Sequence, residues 1–193
     1  LDKTYGAERA RAIAQAAAAS FPFIEETIAR EGIDCHYLRC GRFVPAWTPK
    51  HYDALAARAG FIAEITGLPT HMVPKARQHE ALGSDHYHGG MIAEASGSLH
   101  PGKYARGLAD AAERAGARLV DGVRVAGIQQ DGSGFRLTTD RGEMRAHAVL
   151  VATNGYSRDG KGRSAMPWLA RRMIPVGSYI IATEELPQDT MDR

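Results

Sequence analysis

The sequence predicts a mixed α/β (α+β) fold divided into two lobes. Apolar residues recur at three- and four-residue intervals over 7–31, a spacing typical of one face of a long helix. Helix-start signals stand at Thr48-Pro49 and at Pro101, and short β-branched runs separated by Asp-Gly and Arg-Gly turns fill 117–153. Because helical and strand segments alternate, we expect sheets covered by helices, with the chain crossing between the lobes more than once.

The helices of the first half have recognisable ends. Pro22 lies inside the first helix and is expected to kink it, and Gly32 is expected to end it. Thr48 is the predicted cap of a second helix that continues to Gly67. A shorter helix is predicted over 74–82.

The second half is predicted to combine one helix with a series of strands. The helix begins at Pro101, ends at Gly116 and directs Leu108 to the core. Turn signals separate the predicted strands of the chain, which cover 35–47, 87–95, 117–120, 123–130, 135–140, 143–153 and 174–183. The run AHAVLVATNGYS ends in Thr-Asn-Gly, residues suited to exposing backbone. Ligands of sheet proteins lie beyond such strand ends, so we expect a ligand site where 148–153 ends.

Composition excludes several kinds of partner. The formal net charge of +2, with both signs interspersed, lacks the basic stripe that binds nucleic acid. No apolar run approaches the ~20 residues of a membrane span, and no signal-peptide core is present. Cys35 and Cys40 are expected to be reduced structural thiols. These features predict a cytoplasmic protein with no nucleic-acid partner.

One segment approximates the G-x-G-x-x-G pattern of a phosphate-binding loop. It is GKGRSA at 160–165, and it is followed by Met-Pro-Trp rather than by the start of a long amphipathic helix. An exposed loop is therefore the preferred interpretation.

Other candidate side chains have equally simple structural interpretations. His86 and His88 project from one face of a strand, as metal ligands do, but no Asp, Glu or Cys obviously completes a shell, and we predict no metal site. His100 either faces a pocket or caps the helix that follows it, and capping is preferred. Arg171 and Arg172 either clamp a carboxylate or form a solvated face, and the solvated face is preferred.

Several motifs follow one another in a characteristic order. GSLHPGKYARGL at 97–108 precedes GVRVAGI at 122–128, then a hairpin, then AHAVLVATNGYS at 146–157. This order resembles the FAD-dependent D-amino-acid-oxidase superfamily, which includes glycine oxidase, sarcosine oxidase and γ-glutamylputrescine oxidase. The Asn-Gly-Tyr sequence and the tail WLARRMIPVGSYIIATEEL resemble the γ-glutamylputrescine-oxidase-like branch in particular.

The resemblance implies cofactor contacts. In the resembled fold the backbone of Val125 contacts the adenine of FAD, and the strand end, at Ala152, Thr153, Asn154 and Gly155, lies near the ribose or pyrophosphate. The family usually has glycine where this chain has asparagine, and asparagine tolerates left-handed backbone. In the resembled fold the strand ends in small residues because FAD passes over that end. The resemblance identifies no catalytic acid or base among these residues.

The resemblance also implies how two lobes share the chain. Residues 1–34 are expected to give a helix of the FAD-binding lobe, 35–96 part of the substrate lobe, 97–157 more of the FAD-binding lobe, and 158–193 a crossover into the substrate lobe. The family's amino-terminal phosphate-binding unit and carboxyl-terminal part are not in the sequence. We therefore expect an internal fragment of a two-lobed FAD-binding oxidoreductase, inactive by itself.

The activity implied by the resemblance is oxidation of the C–N bond of an amine or amino acid, with hydride transfer to FAD and oxygen as electron acceptor. The expected partner is thus a small-molecule amine. Two alternatives stay open. The chain is either a folded module without enzymatic activity, or part of a dehydrogenase of the same fold that passes electrons to another acceptor.

Overall fold

The computed structural model describes residues 2–179 and 183–191. The chain folds into two compact units, with the boundary between Arg118 and Leu119. The elements of the first unit are, in chain order, α1 (Asp2–Tyr5), α2 (Ala7–Glu31), β1 (Arg42–Pro45), α3 (Pro49–Thr66), β2 (Thr70–Val73), a 3-10 helix (Lys75–Glu80), β3 (Gly90–Ala93) and α4 (Pro101–Arg114). The elements of the second unit are β4 (Val125–Asp131), β5 (Gly134–Thr139), β6 (Gly142–Ala146), α5 (Pro167–Ala170) and α6 (Gln188–Met191).

The long amino-terminal helix α2 continues through Pro22 and buries Ala10, Ala18 and Thr27. It ends as predicted at Gly32, whose φ of 65° lies in the left-handed region that glycine adopts without a steric penalty. None of the described helices is both long and apolar enough to cross a bilayer.

Helix α3 packs on a small antiparallel sheet. As predicted, Thr48 caps the helix, with its side-chain oxygen accepting a hydrogen bond from the backbone N–H of His51 at 3.1 Å, and the helix ends at Gly67. The sheet has the order β1-β3-β2. The buried core between helix and sheet consists of Ala46, Leu55, Ala59 and Met91.

Two glycines bring the backbones of this sheet close together. A Cβ added to Gly89 would overlap the Val73 carbonyl oxygen, and one added to Gly90 would overlap the Val44 carbonyl oxygen. Both positions therefore require glycine for the backbones to approach this closely. Strand β3 is shorter than the predicted strand 87–95. The helix predicted over 74–82 is a 3-10 helix, and its buried Gln78 accepts a hydrogen bond from the Gly89 N–H at 3.0 Å.

Helix α4 has the predicted start but not the predicted burial. His100 caps it, with Nδ1 accepting from the Lys103 N–H at 3.3 Å, so the capping interpretation is confirmed. None of its residues is buried, and Leu108 is 38% exposed, so the expected core face was wrong for the described residues. One close contact of this helix is at Gly107, where Ile33 leaves no room for a Cβ.

The second unit contains the predicted three-stranded meander. Its strands pair antiparallel in the order β4-β5-β6, with Ile128 opposite Leu137 and Leu137 opposite Met144. Gly132 supplies the left-handed residue of the first turn, at φ 62°.

Three predicted strands are not formed in the described residues. Segments 117–120, 148–153 and 174–179 have no strand structure, and Leu150 is 92% exposed. The last prediction continued through 180–182, which lie outside the described residues. The β-branched composition of 117–120, 148–153 and 174–179 suits a strand. A strand also needs a neighbour to complete its hydrogen bonds, and no described segment pairs with these three.

Candidate functional site

A cleft of about 480 Å³ lies within the second unit. Apolar side chains form its floor, contributed by Val125 and Ile128 of β4, Leu137 of β5 and Leu169 of α5. The segment 149–153 forms another wall. Small-molecule sites occupy ~300–1,000 Å³ and have predominantly apolar walls with a few polar groups, so this cleft has the dimensions of a ligand site.

The cleft brings together part of the predicted cofactor site. Val125, Ala152 and Thr153 all line it, although they come from separate segments of the chain. Asn154 and Gly155 do not line it. A Cβ added to Gly155 would lie 3.6 Å from the Cβ of Pro175, at ordinary contact distance. Contact of any of these residues with FAD stays a prediction.

The chain makes a tight turn after Thr153 and rejoins the cleft lining at Tyr156. Asn154 has a φ of 48°, in the left-handed region that asparagine was expected to tolerate. The Tyr156 N–H donates to the Thr153 carbonyl at 2.9 Å, and the Ser157 hydroxyl donates to the Asn154 carbonyl at 3.2 Å. The left-handed residue of this turn is thus Asn154 rather than Gly155.

The polar rim of the cleft is organised by the carboxylate of Asp159. Arg124 and Arg163 both reach its Oδ2, at 2.8 Å from an Arg124 terminal nitrogen and 2.9 Å from Arg163 Nε. Its Oδ1 accepts from the backbone N–H groups of Arg163 at 2.7 Å and of Lys161 at 3.0 Å. The Asp159 carboxylate therefore links Arg124, the residue before Val125, to the loop 159–163 that follows the turn at Thr153.

The surroundings of Asp159 favour its ionised form. Desolvation raises the pKa of this carboxyl, but the hydrogen bonds from Arg163 and Lys161 and the charge of Arg124 outweigh it. The pKa of Asp159 consequently lies below its ordinary value. Arg158 also lines the cleft, so three guanidiniums and one carboxylate give its lining a net positive charge.

The loop GKGRSA is not built to receive a phosphate. In a phosphate loop the backbone N–H groups converge on the ligand, whereas here those of Lys161 and Arg163 converge on Asp159. Residues 160–163 are exposed, and the helix that follows, α5, has four residues. The exposed-loop interpretation is confirmed.

The arginine–carboxylate group was missed by the sequence prediction. Arg124 and Asp159 are far apart in the sequence, and no spacing rule relates them. The available signal was local: Asp159 precedes a Gly-Lys-Gly turn, where an aspartate side chain commonly accepts backbone N–H groups two residues on.

The remaining sequence candidates lie outside the lining of this cleft. His86 packs edge-on against Trp47 and Tyr87, at ring-centroid distances of 5.6 and 5.2 Å. Among the residues that the structure describes, no three metal-binding side chains cluster. The Arg172 guanidinium lies 4.3 Å from the centroid of the Trp168 ring.

Comparison with known proteins places the chain in a family. Residues 3–193 match the family model described as FAD dependent oxidoreductase, abbreviated DAO. The chain is 30% identical over 189 residues to gamma-glutamylputrescine oxidoreductase of Escherichia coli strain K12, an alignment that covers 98% of this chain and 43% of that protein.

Solved structures agree. The crystal structure of glycine oxidase from Geobacillus kaustophilus superposes with a TM-score of 0.63 at 30% identity, over 72% of this chain and 38% of that one. L-Amino acid deaminase from Proteus myxofaciens, solved with anthranilate, superposes with a TM-score of 0.64 at 22% identity, over 73% and 33% of the two chains, and shows the same fold.

The chain spans less than half the length of these relatives. The match to the family model nevertheless extends over nearly all of its residues, and both the mixed fold and the family expected from the sequence motifs are confirmed. The chain belongs to the DAO family of FAD-dependent oxidoreductases.

Proposed function

We propose that the whole protein is an oxidoreductase that oxidises the C–N bond of an amine or amino acid, and that the cleft of the second unit holds part of its FAD. The observation that carries the proposal is the convergence of Val125, Ala152 and Thr153 on one cleft with an apolar floor. These three residues are also ones that the sequence motifs assign to the cofactor.

The residues of the cleft fit the adenosine half of FAD. A planar, apolar ring system suits the floor formed by Val125, Ile128 and Leu137. Val125 begins β4, which is an edge strand of the described sheet, and a register shift between Val125 and Gly127 interrupts its pairing with β5. An edge strand presents backbone N–H and C=O groups, the donors and acceptors that a ring with nitrogen atoms can use.

The roles of this chain's residues are binding and orientation. The chemistry that FAD supplies when bound is acceptance of a hydride from the carbon beside the substrate nitrogen, which leaves an imine that water hydrolyses. Ala152 and Thr153 have short side chains, so a ligand can lie close to the backbone of this segment. The apolar floor excludes water from the face of the ligand that it covers.

The substrate class is proposed from the relatives. Two of them are named for activity on gamma-glutamylputrescine and on glycine, both of which carry an amine. A small-molecule amine or amino acid is therefore the proposed substrate, and oxygen the proposed acceptor. The cytoplasmic location remains a prediction from the sequence.

The experiment is purification of the whole protein followed by spectroscopy and a peroxide assay. The expected result is flavin absorbance, release of FAD on denaturation, and peroxide production with γ-glutamylputrescine, glycine or sarcosine. A protein that is colourless and acquires no flavin spectrum with added FAD would refute the proposal and favour the non-enzymatic module. Flavin reduction by an amine without peroxide would instead identify a dehydrogenase with another acceptor.

A further inference from the structure

We propose that the outer edge of β6 pairs antiparallel with the same edge of a second copy of this chain, with Met144 on the twofold axis. The two three-stranded sheets then form one continuous sheet of six strands. The inference goes beyond the proposed function and does not depend on it, because none of the residues of β6 lines the cleft.

Strand β6 is the last strand of its sheet. The order is β4-β5-β6, and among residues 2–179 and 183–191 no segment pairs with the outer side of β6. Four of the five residues of β6 are exposed, and Met144 is 57% exposed. An edge of this kind presents a row of unpaired backbone donors and acceptors, which a further strand can satisfy.

The backbone groups of Glu143 and Arg145 point outward from this edge. The Asp140 N–H donates to the Arg124 carbonyl at 3.1 Å, on the β4 side of β5. Backbone groups alternate between the two sides of a strand, so the odd-numbered residues of β5 direct theirs to β6, where their partners are the even-numbered residues. The odd-numbered residues of β6 are therefore left with N–H and C=O groups that point away from the sheet.

The charges along this edge select one antiparallel register. When Met144 lies on the twofold axis, Glu143 of each copy stands opposite Arg145 of the other, and each such pair exchanges two backbone hydrogen bonds. A register centred on Glu143 or on Arg145 would instead place like charges opposite each other, which is unfavourable. The turn residue Arg141 and the following His147 lie beyond the paired strands.

Arg145 is available for this pairing. Its side chain is 78% exposed, and its ion pair with Asp131 has a length of 3.5 Å. Arg136 holds the same Asp131 oxygen more closely, through two nitrogens that are both at 3.2 Å. Asp131 therefore keeps a close partner when Arg145 turns toward Glu143 of the second copy.

The apolar face of the sheet also continues across the axis. Ile128, Leu137 and Met144 are neighbours on successive strands, so this apolar row ends at the edge of β6. In the dimer the two Met144 residues form a non-hydrogen-bonded pair, in which side chains approach closely. The contact therefore removes an exposed methionine from water, which is favourable.

The opposite edge of the sheet lacks these features. Strand β4 has a register shift between Val125 and Gly127, and an irregularity of this kind bends an edge strand and hinders further pairing. Its sequence VAGIQQD contains one acidic residue and no basic residue. It therefore offers no opposite charge to a second copy of itself, and β6 is the edge that is self-complementary.

The test is sedimentation velocity of the whole protein over a range of concentrations, for the wild type, Glu143→Arg, Arg145→Glu and the double variant. The wild type is expected to form a dimer with micromolar affinity, since a contact between five-residue strands is small. Each single reversal replaces two attractive pairs per dimer by two repulsive ones and should weaken dimerisation about tenfold or more. The double variant exchanges the two charges and should dimerise like the wild type.

A mixture of the two single variants tests the register directly. Glu143→Arg has two arginines at the paired positions and Arg145→Glu has two glutamates, so each should pair poorly with itself and well with the other. An equimolar mixture should therefore dimerise as tightly as the wild type. Arg11→Glu, a charge reversal at an exposed residue of α2 in the other unit, is the matched control and should leave dimerisation unchanged.

Three results would overturn the proposal. A whole protein that stays monomeric up to about 100 μM would exclude a second copy as the occupant of this edge. An equally tight dimer in both single variants, with circular dichroism unchanged, would place the interface elsewhere. Weakening in the single variants without recovery in either the mixture or the double variant would show that the charges act on folding rather than on pairing. None of these measurements requires flavin binding, so failure of the dimer and failure of the proposed function are distinguishable.

Discussion

Replacement of Ala152 by phenylalanine should expel the cofactor while leaving the fold intact. Ala152 lines the cleft, and its own side chain is exposed rather than packed in a core. A phenyl group at this position has to occupy either solvent or the space that the ligand needs. The substitution should therefore change the free energy of unfolding little and weaken ligand binding more.

The magnitude follows from where the added volume goes. An exposed substitution away from special features usually changes the free energy of unfolding by no more than about 0.5 kcal/mol. Overpacking of a filled site costs roughly 1–3 kcal/mol, which corresponds to roughly 5- to 150-fold weaker binding at about 1.4 kcal/mol per tenfold. We expect an FAD dissociation constant raised within this range and a melting temperature of the flavin-free protein near that of the wild type.

The assay is the ratio of flavin to protein absorbance after purification, together with FAD titration of the flavin-free protein. Ala148→Phe is the matched control, since Ala148 is an exposed alanine of the same segment that does not line the cleft. A wild-type flavin ratio in Ala152→Phe, or an equal loss in Ala148→Phe, would refute the reasoning that this wall faces FAD.

Three further predictions concern stability and are checked by unfolding of the whole protein. Because the pKa of Asp159 is lowered in the folded state, its contribution to the free energy of unfolding is present above its ordinary pKa of about 3.9 and lost as pH falls through the lower folded value. The difference in melting temperature between the wild type and Asp159→Asn should thus be constant above about pH 5 and shrink below about pH 4. A difference independent of pH would contradict this. Gly89→Ala should destabilise the fold by more than about 2 kcal/mol, because its Cβ would overlap the Val73 carbonyl at a φ of 77°. Gly116→Ala, with a φ of 93° and open space around it, should cost only about 1–2 kcal/mol. Equal costs for the two substitutions would show that the overlap at Gly89 is relieved. Thr48→Ala should cost about 1 kcal/mol through loss of its cap, and an unchanged unfolding free energy would show that the cap contributes nothing.

Features set by a few adjacent residues could be predicted from the sequence. Thr48-Pro49 and Gly67 bound α3 because capping depends only on neighbouring backbone groups. The same holds for Gly132, which turns β4 into β5. Convergence of Val125 on the segment that ends at Thr153 was predictable only through the resemblance to a family.

Features that depend on distant partners could not be predicted. Leu150 belongs to a run with the composition of a buried strand, yet it is almost fully exposed because no described segment pairs with it. The contacts of Asp159 with Arg124 depend on how the loop folds back on the strand entry, which residue spacing does not reveal. The contact between Arg124 and Asp159 therefore could not be predicted from the sequence motifs.

The most direct test of the central claim is amide hydrogen exchange of the whole protein with and without FAD, with occupancy followed by flavin absorbance. If the cleft holds the cofactor, FAD should slow exchange in peptides that cover 123–128 and 149–159. Peptides that cover the 3-10 helix of the first unit, which lines no part of this cleft, provide the reference. Full FAD occupancy with unchanged exchange at 123–128 and 149–159 would contradict the claim.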